Sequence, residues 1–142
     1  LIIGCAHMGI NLFIGCPKNL QPQKEIVEKE KKLLSSKESQ LVITDNAEEA
    51  VKDADIVYTD SWMSYHTPPD QKEQRMKLLK PFQVNGKIIK HAKRDFCFMN
   101  CLPAMRGYEQ TAEIIDGKNS IVFDQAENRM HMQKAILLEC LQ

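Results

Sequence analysis

Short apolar runs alternate with amphipathic stretches along the whole chain. Such runs predict β-strands, and they lie at residues 11–15, 41–44, 55–59, 96–100 and 120–124. The segments between them have apolar residues at helical spacing, most clearly at 23–35, where one apolar stripe runs among Lys and Glu. Strands that alternate with helices predict an α/β fold: a parallel sheet with helices on both faces, of the Rossmann-like kind.

Capping residues mark the starts of several predicted helices. Asn46 and Asp124 are each followed three residues later by Glu, which is the spacing of a capping box. They predict a helix to about residue 54 and a C-terminal helix that begins after Asp124. Thr67 before two prolines predicts a helix to about residue 79. Shorter helices are predicted at 86–92 and 109–116.

Composition and charge exclude several classes of protein. The 142 residues carry 19 Lys and Arg against 19 Asp and Glu, a balance unlike that of a nucleic-acid-binding arm or a polybasic membrane segment. The chain is 43% hydrophobic and 27% charged, which is typical of one globular domain. No apolar run approaches the roughly 20 residues of a membrane span. Five cysteines without a CxxC pair predict reduced thiols. We therefore expect a cytoplasmic protein without nucleic-acid or membrane partners.

Polar side chains follow the third, fourth and fifth predicted strands, at 60–66, 100–107 and 124–129. Because ligands bind beyond the carboxyl ends of parallel strands, these segments are candidates for a site. Side chains at the ends of strands can also have purely structural roles. Asp60 could hold an amine or form a turn, and Cys101 could be a nucleophile or a small buried apolar side chain.

Two further residues of these segments have a structural and a functional interpretation. Trp62 is the only tryptophan, which is more typical of core packing than of a site wall. Arg129, predicted just inside a helix start, opposes the positive end of the helix dipole unless an anion lies between them. The sequence lacks the GxxxxGK[ST] and GxGxxG loops of nucleotide-binding modules, and its four histidines lack zinc spacing. We expect no metal and no cofactor.

Three motifs carry a specific resemblance to a known family. Residues 58–64 (YTDSWMS), 100–104 (NCLPA) and 126–129 (AENR) resemble, in order and spacing, the YTDxWxS, HCLPA and AENR motifs of the carbamoyltransferases, most of all ornithine carbamoyltransferase. Residues 82–85 (FQVN) and 115–117 (IDG) also look like that family. The resemblance covers essentially the whole chain.

The resemblance implies that residues 1–142 are the amino-acid-binding domain of a two-domain enzyme that carbamoylates ornithine with carbamoyl phosphate. It implies that Asp60 holds the amine and that Arg129 meets carbamoyl phosphate. The implied catalytic residues are thus Asn100, Cys101 and Arg129. The implied substrate-binding residues are Asp60, Ser64, Tyr65 and Leu102. The family pattern also implies a homotrimer at full length. The carbamoyl-phosphate domain and the first strand of this domain are expected to be missing from the chain.

Two departures from the family pattern keep other functions open. Asn100 stands where the family has His, and an Asn amide can donate but cannot become cationic. Ser64, Tyr65 and His66 stand where the family has SMG. The alternatives are carbamoyl transfer to another amine such as putrescine, transfer to aspartate, or a non-catalytic binding or assembly domain on the same fold. We expect the chain alone to be inactive.

Overall fold

The structure of the chain is a computed structural model that describes residues 1–35, 38–63 and 68–141. The chain divides into two compact units, residues 1–52 and 53–142. Each unit contains one pair of parallel strands with helices around it. The α/β class with parallel strands is therefore confirmed, although the described strands form two separate pairs and not one continuous ladder.

The first unit pairs the first two strands of the chain. Its elements are α1 (Ile2–Met8), β1 (Leu12–Gly15), α2 (Lys24–Ser35), β2 (Leu41–Thr44) and α3 (Ala47–Val51). Ala6, Val27, Leu34 and Leu41 form its buried core, which explains the apolar stripe on α2. The Asn46 side chain accepts hydrogen bonds from the N–H groups of Glu48 and Glu49, as the capping pattern predicts.

The second unit contains the candidate site. Its elements are β3 (Ile56–Thr59), α4 (Pro69–Leu79), β4 (Cys97–Asn100), α5 (Ala112–Ile115) and α6 (Val122–Cys140), with 3₁₀ turns at Lys80–Phe82 and Ile88–His91. β3 and β4 are parallel, with Thr59 opposite Asn100. Val57 and Phe98, one from each strand, are buried in the core. The two strands therefore end side by side.

The predicted fifth strand at 120–124 is wrong. Phe98 donates to the carbonyl of Asn119 and accepts from the N–H of Ile121, so only an isolated bridge to Ser120 forms. The chain then turns directly into α6 at Val122. Val122 is 1% exposed whereas Phe123 is 76% exposed. A short apolar run has the same letters in a strand and in a buried helix start, so periodicity cannot separate them.

Several helix boundaries also differ from the prediction. α6 begins at Val122 with Ile121 at its N-cap, so Asp124 is not a capping residue. The helix predicted at 109–116 is reduced to α5, because the first residues of that segment pair with residue 84. The segment 86–92 forms a 3₁₀ turn, and Thr67 lies outside the described residues. In the described part of the chain, no helix is long and apolar enough to cross a membrane.

Candidate functional site

The candidate site begins where the parallel strands β3 and β4 end. Asp60 follows β3 directly and Cys101 follows β4 directly. Because the strands are adjacent and parallel, these side chains meet, and the Cys101 thiol donates to Oδ1 of Asp60 at 3.2 Å. The N–H of Ser61 also donates to Oδ1 of Asp60, at 2.8 Å. Asp60 is exposed, so its carboxylate is open to a cation from solvent.

The surroundings of Cys101 keep its thiol protonated. Partial burial, and then the hydrogen bond to Asp60, raise the pKa of the Cys101 thiol above its ordinary value. Partial burial, and then the neighbouring Cys101, raise the pKa of Tyr58, while a hydrogen bond from Gln125 opposes that rise. A nucleophilic cysteine needs a lowered pKa. Cys101 is therefore a hydrogen-bond donor to Asp60, and its environment is unlike that of an activated nucleophile.

Asn100 is buried, although it is the last residue of β4 at the candidate site. It is 1% exposed. Its Nδ2 donates to Oε1 of Gln110 at 3.0 Å, and its Oδ1 accepts from the N–H of Leu102 at 2.9 Å. The second bond forms an Asx turn, which supports the left-handed backbone of Leu102 at φ 46°. In this structure Asn100 shapes the segment that carries Cys101.

Glu109 links the two segments of the site and was not singled out in the sequence. It is fully buried. Its Oε1 accepts from the N–H of Trp62 at 3.1 Å, and its Oε2 accepts from the N–H of Met105 at 3.0 Å. Trp62 is itself buried, which confirms the core interpretation of the lone tryptophan. Arg75 on α4 donates from Nε to the Trp62 carbonyl at 2.5 Å.

The segment around Gln83 bonds to the backbone of residues 107–109. Nε2 of Gln83 donates to the carbonyls of Gly107 and Tyr108 at 2.6 and 2.8 Å. The N–H of Val84 donates to the Glu109 carbonyl at 2.9 Å. The FQVN segment thus holds in place the stretch that carries Glu109. A buried Glu or Gln has no periodic signature in one sequence, so these residues could not be identified from spacing.

The structure places Arg129 away from any helix start. It is the eighth residue of α6 and is exposed, about 10 Å along the axis from Val122 at the usual helical rise. The predicted anion site that combined Arg129 with the helix N-terminus is therefore wrong in its geometry. Leu102 is half-buried beside Cys101, while Ser64 and Tyr65 lie outside the described residues.

Arg106, in the segment that follows β4, is already paired. Arg106 donates to both carboxylate oxygens of Asp116, at 2.8 and 2.6 Å. That hydrogen-bonded pair is exposed. Among the residues that the structure describes, no group of three or more His, Cys, Asp or Glu side chains could hold a metal ion.

Proteins of known structure or sequence share this fold or resemble this chain in sequence. The solved ornithine carbamoyltransferase of Pyrococcus furiosus superposes with a TM-score of 0.89 at 40% identity, over 96% of this chain and 43% of that chain. The ornithine carbamoyltransferase of Methanocaldococcus jannaschii is 44% identical over 137 residues, and that of Bacillus subtilis 47% over 137 residues. These matches cover 96% of this chain but only 45% and 43% of the two relatives, so the chain spans less than half of their length.

The fold and these relatives thus place the chain in the carbamoyltransferase class. Residues 1–140 match the family model described as "Aspartate/ornithine carbamoyltransferase, Asp/Orn binding domain". The chain therefore belongs to the aspartate/ornithine carbamoyltransferase family, and the resemblance carried by its three motifs is confirmed.

Proposed function

We propose that residues 1–142 form the amine-binding domain of an ornithine carbamoyltransferase. The reaction moves a carbamoyl group from carbamoyl phosphate to the side-chain amine of ornithine and yields citrulline and phosphate. The observation that carries the proposal is the contact between Asp60 and Cys101 at the ends of adjacent parallel strands, in a chain 44% identical to a protein named ornithine carbamoyltransferase. A carbamoyl-phosphate domain, a homotrimer and a cytoplasmic location belong to the same proposal.

The exposed carboxylate of Asp60 suits the cationic end of a diamine. A carboxylate offers about four acceptor sites, and the bonds from Cys101 and Ser61 both go to Oδ1. Acceptor capacity therefore remains for an ammonium group. An acidic acceptor such as aspartate would place carboxylate against carboxylate, which is unfavourable.

The chemical step requires the neutral amine. Its lone pair attacks the carbamoyl carbon, the carbon–oxygen bond to phosphate breaks with both electrons leaving on phosphate, and the amine proton is lost to solvent or to that phosphate. Positioning of the two substrates and stabilisation of the developing oxyanion supply the acceleration. In this proposal Leu102, Ser64 and Tyr65 bind the amino acid, Cys101 lines the reacting centre, and Arg129 meets carbamoyl phosphate from the exposed face of α6.

The test is carbamoyl transfer by a protein that joins this chain to a carbamoyl-phosphate-binding half. Asp60→Asn should lower kcat/KM for ornithine about 10- to 100-fold, because a charge-assisted hydrogen bond is lost. Asp55→Asn is the matched control, since Asp55 lies just before the opposite end of the same strand and should leave turnover unchanged. Ornithine should be preferred to putrescine and to aspartate. If aspartate is the best acceptor, the assignment is wrong.

A non-catalytic binding or assembly domain is the second candidate. It is favoured by Asn100, which stands where the family has His and whose side chain bonds within the protein. The same two-half protein separates the candidates. Ornithine binding without detectable citrulline would support the second candidate, whereas turnover that depends on Asp60 would exclude it.

A further inference from the structure

We propose that Glu109 is a positioning residue that holds two substrate loops of the amine site together. The Asp60 loop comprises residues 60–63 and the Cys101 loop comprises residues 101–106. The part of this inference that concerns catalysis rests on the proposed function. The structural part, the coupling of the two loops, stands on contacts within the described residues alone.

The two oxygens of Glu109 divide between the two loops. Oε1 accepts from Trp62 in the Asp60 loop, and Oε2 accepts from Met105 in the Cys101 loop. An ionised carboxylate has only acceptors and can satisfy two N–H donors at once. Because Glu109 is fully buried, both bonds form where water competes little.

The Asp60 loop is held at the same residue, Trp62, by a second hydrogen bond. The Trp62 carbonyl accepts from Arg75 while the Trp62 N–H donates to Glu109. Trp62 follows Asp60 by two residues, and Met105 follows Cys101 by four. Fixing these two peptides therefore limits how far the carboxylate of Asp60 and the thiol of Cys101 can separate.

The Glu109 backbone is anchored independently of its side chain. Its carbonyl accepts from the N–H of Val84, and the N–H of Thr111 donates to the Val84 carbonyl. The path of the chain through residue 109 therefore does not depend on the carboxylate. Glu109→Gln keeps the size of the side chain but offers one carbonyl acceptor to two N–H donors, so it should release one loop.

Cys101 itself reports whether the loops stay together. Partial burial, and then the hydrogen bond to Asp60, raise the pKa of its thiol. Separation of the loops removes the hydrogen bond, so it should lower the thiol pKa and speed alkylation. The experiment follows iodoacetamide labelling of Cys101 against pH in the 142-residue chain, by peptide mass spectrometry. The charged or titratable groups that act on this thiol are Asp60 and Tyr58. Cys140, which is exposed on α6, is the internal standard for reagent reactivity.

Glu109→Gln should raise the Cys101 labelling rate near pH 8 about threefold, because a lower thiol pKa gives more thiolate at that pH. Asp60→Asn should give a similar rise. In the Asp60→Asn background Glu109→Gln should add nothing, because its effect passes through the contact with Asp60. Glu113→Gln is the matched control: its Oε1 accepts from the N–H of Gly86 at 3.1 Å, outside both loops, and the Cys101 profile should not change.

Two results would overturn the proposal. One is a folded Glu109→Gln variant with the wild-type Cys101 profile. The other is an equal effect of Glu109→Gln with and without the Asp60 carboxylate, which would indicate an effect that does not pass through the contact with Asp60. If the variant does not fold, amide exchange in the wild-type chain decides. The N–H groups of Trp62 and Met105 should then be protected relative to that of Ser61, and equal rates would contradict the coupling.

Steady-state kinetics tests whether the coupling of the two loops affects the reaction. In the two-half protein Glu109→Gln should raise KM for ornithine several-fold while KM for carbamoyl phosphate stays unchanged. Labelling and exchange need neither ornithine nor turnover. A coupled pair of loops in a protein without carbamoyl transfer would therefore count against the proposed function alone. An active protein whose loops are uncoupled would count against the role of Glu109 alone.

Discussion

Asn100→Ala should destabilise the second unit more than any neighbouring surface substitution. The change removes the donor to Gln110 and the acceptor for the N–H of Leu102. Gln110 is fully buried, so its Oε1 cannot turn to solvent. The Asx turn that supports the left-handed backbone of Leu102 is lost at the same time.

The magnitude follows from the groups left without partners. A buried polar group deprived of its hydrogen bond costs about 1–3 kcal/mol. Gln110 should lie in the upper part of that range, and Leu102, which is half-buried, near its lower end. We expect a loss of about 2–4 kcal/mol in the free energy of unfolding. That is a large share of the stability of an ordinary domain, which is about 5–15 kcal/mol.

Urea denaturation followed by Trp62 fluorescence measures this loss, because Trp62 is the only tryptophan and lies in the same unit. Asn128→Ala is the matched control, since Asn128 is exposed on α6, and it should stay within about 0.5 kcal/mol of wild type. Gln110→Ala should cost less in the Asn100→Ala background than alone. A free energy of unfolding for Asn100→Ala within 0.5 kcal/mol of wild type would refute the argument.

Three further predictions concern other parts of the chain. Asn46→Ala should cost about 1 kcal/mol in urea unfolding through loss of the α3 cap, whereas Asn46→Asp should keep it. Phe98→Ala should cost about 3–5 kcal/mol because the ring is fully buried, and Phe123→Ala, at 76% exposure, should change stability little. The hydrogen bonds from Arg106 lower the pKa of Asp116 below its ordinary 3.8, so their contribution is present above that value and lost as pH falls through the lowered pKa. The urea midpoints of wild type and Arg106→Gln should therefore differ at pH 7 and converge on acidification, and a constant gap would contradict this.

The sequence could predict the elements whose side chains follow a period. Four of the five predicted strands were recovered from short apolar runs, and α2 was recovered from apolar residues at helical spacing. The rule that ligands bind beyond the carboxyl ends of parallel strands selected the segments of Asp60 and Cys101, and the structure brings these two side chains into contact.

The misses have a common physical cause. At residues 120–124 a single backbone bridge replaced a strand, and no side-chain pattern distinguishes the two. Because α6 begins at Val122, Arg129 lies about two turns inside the helix and not at its start. Glu109 and Gln110 are buried because loop and side-chain groups distant in sequence satisfy them. Their burial depends on tertiary structure, so local sequence suggests an ordinary polar helix face.

The buried polar groups explain how exposed loops can keep a defined site. Asp60 is exposed and Cys101 is half-buried. Loops as exposed as these would ordinarily sample many conformations before a ligand binds. Asn100, Glu109 and Gln110 bond to groups of these loops or to one another in the interior, so the cost of ordering the loops is met when the domain folds. A pre-ordered site loses less entropy on binding an amine. Substitutions of these buried residues should therefore weaken amine binding even though none of the three side chains need contact the substrate.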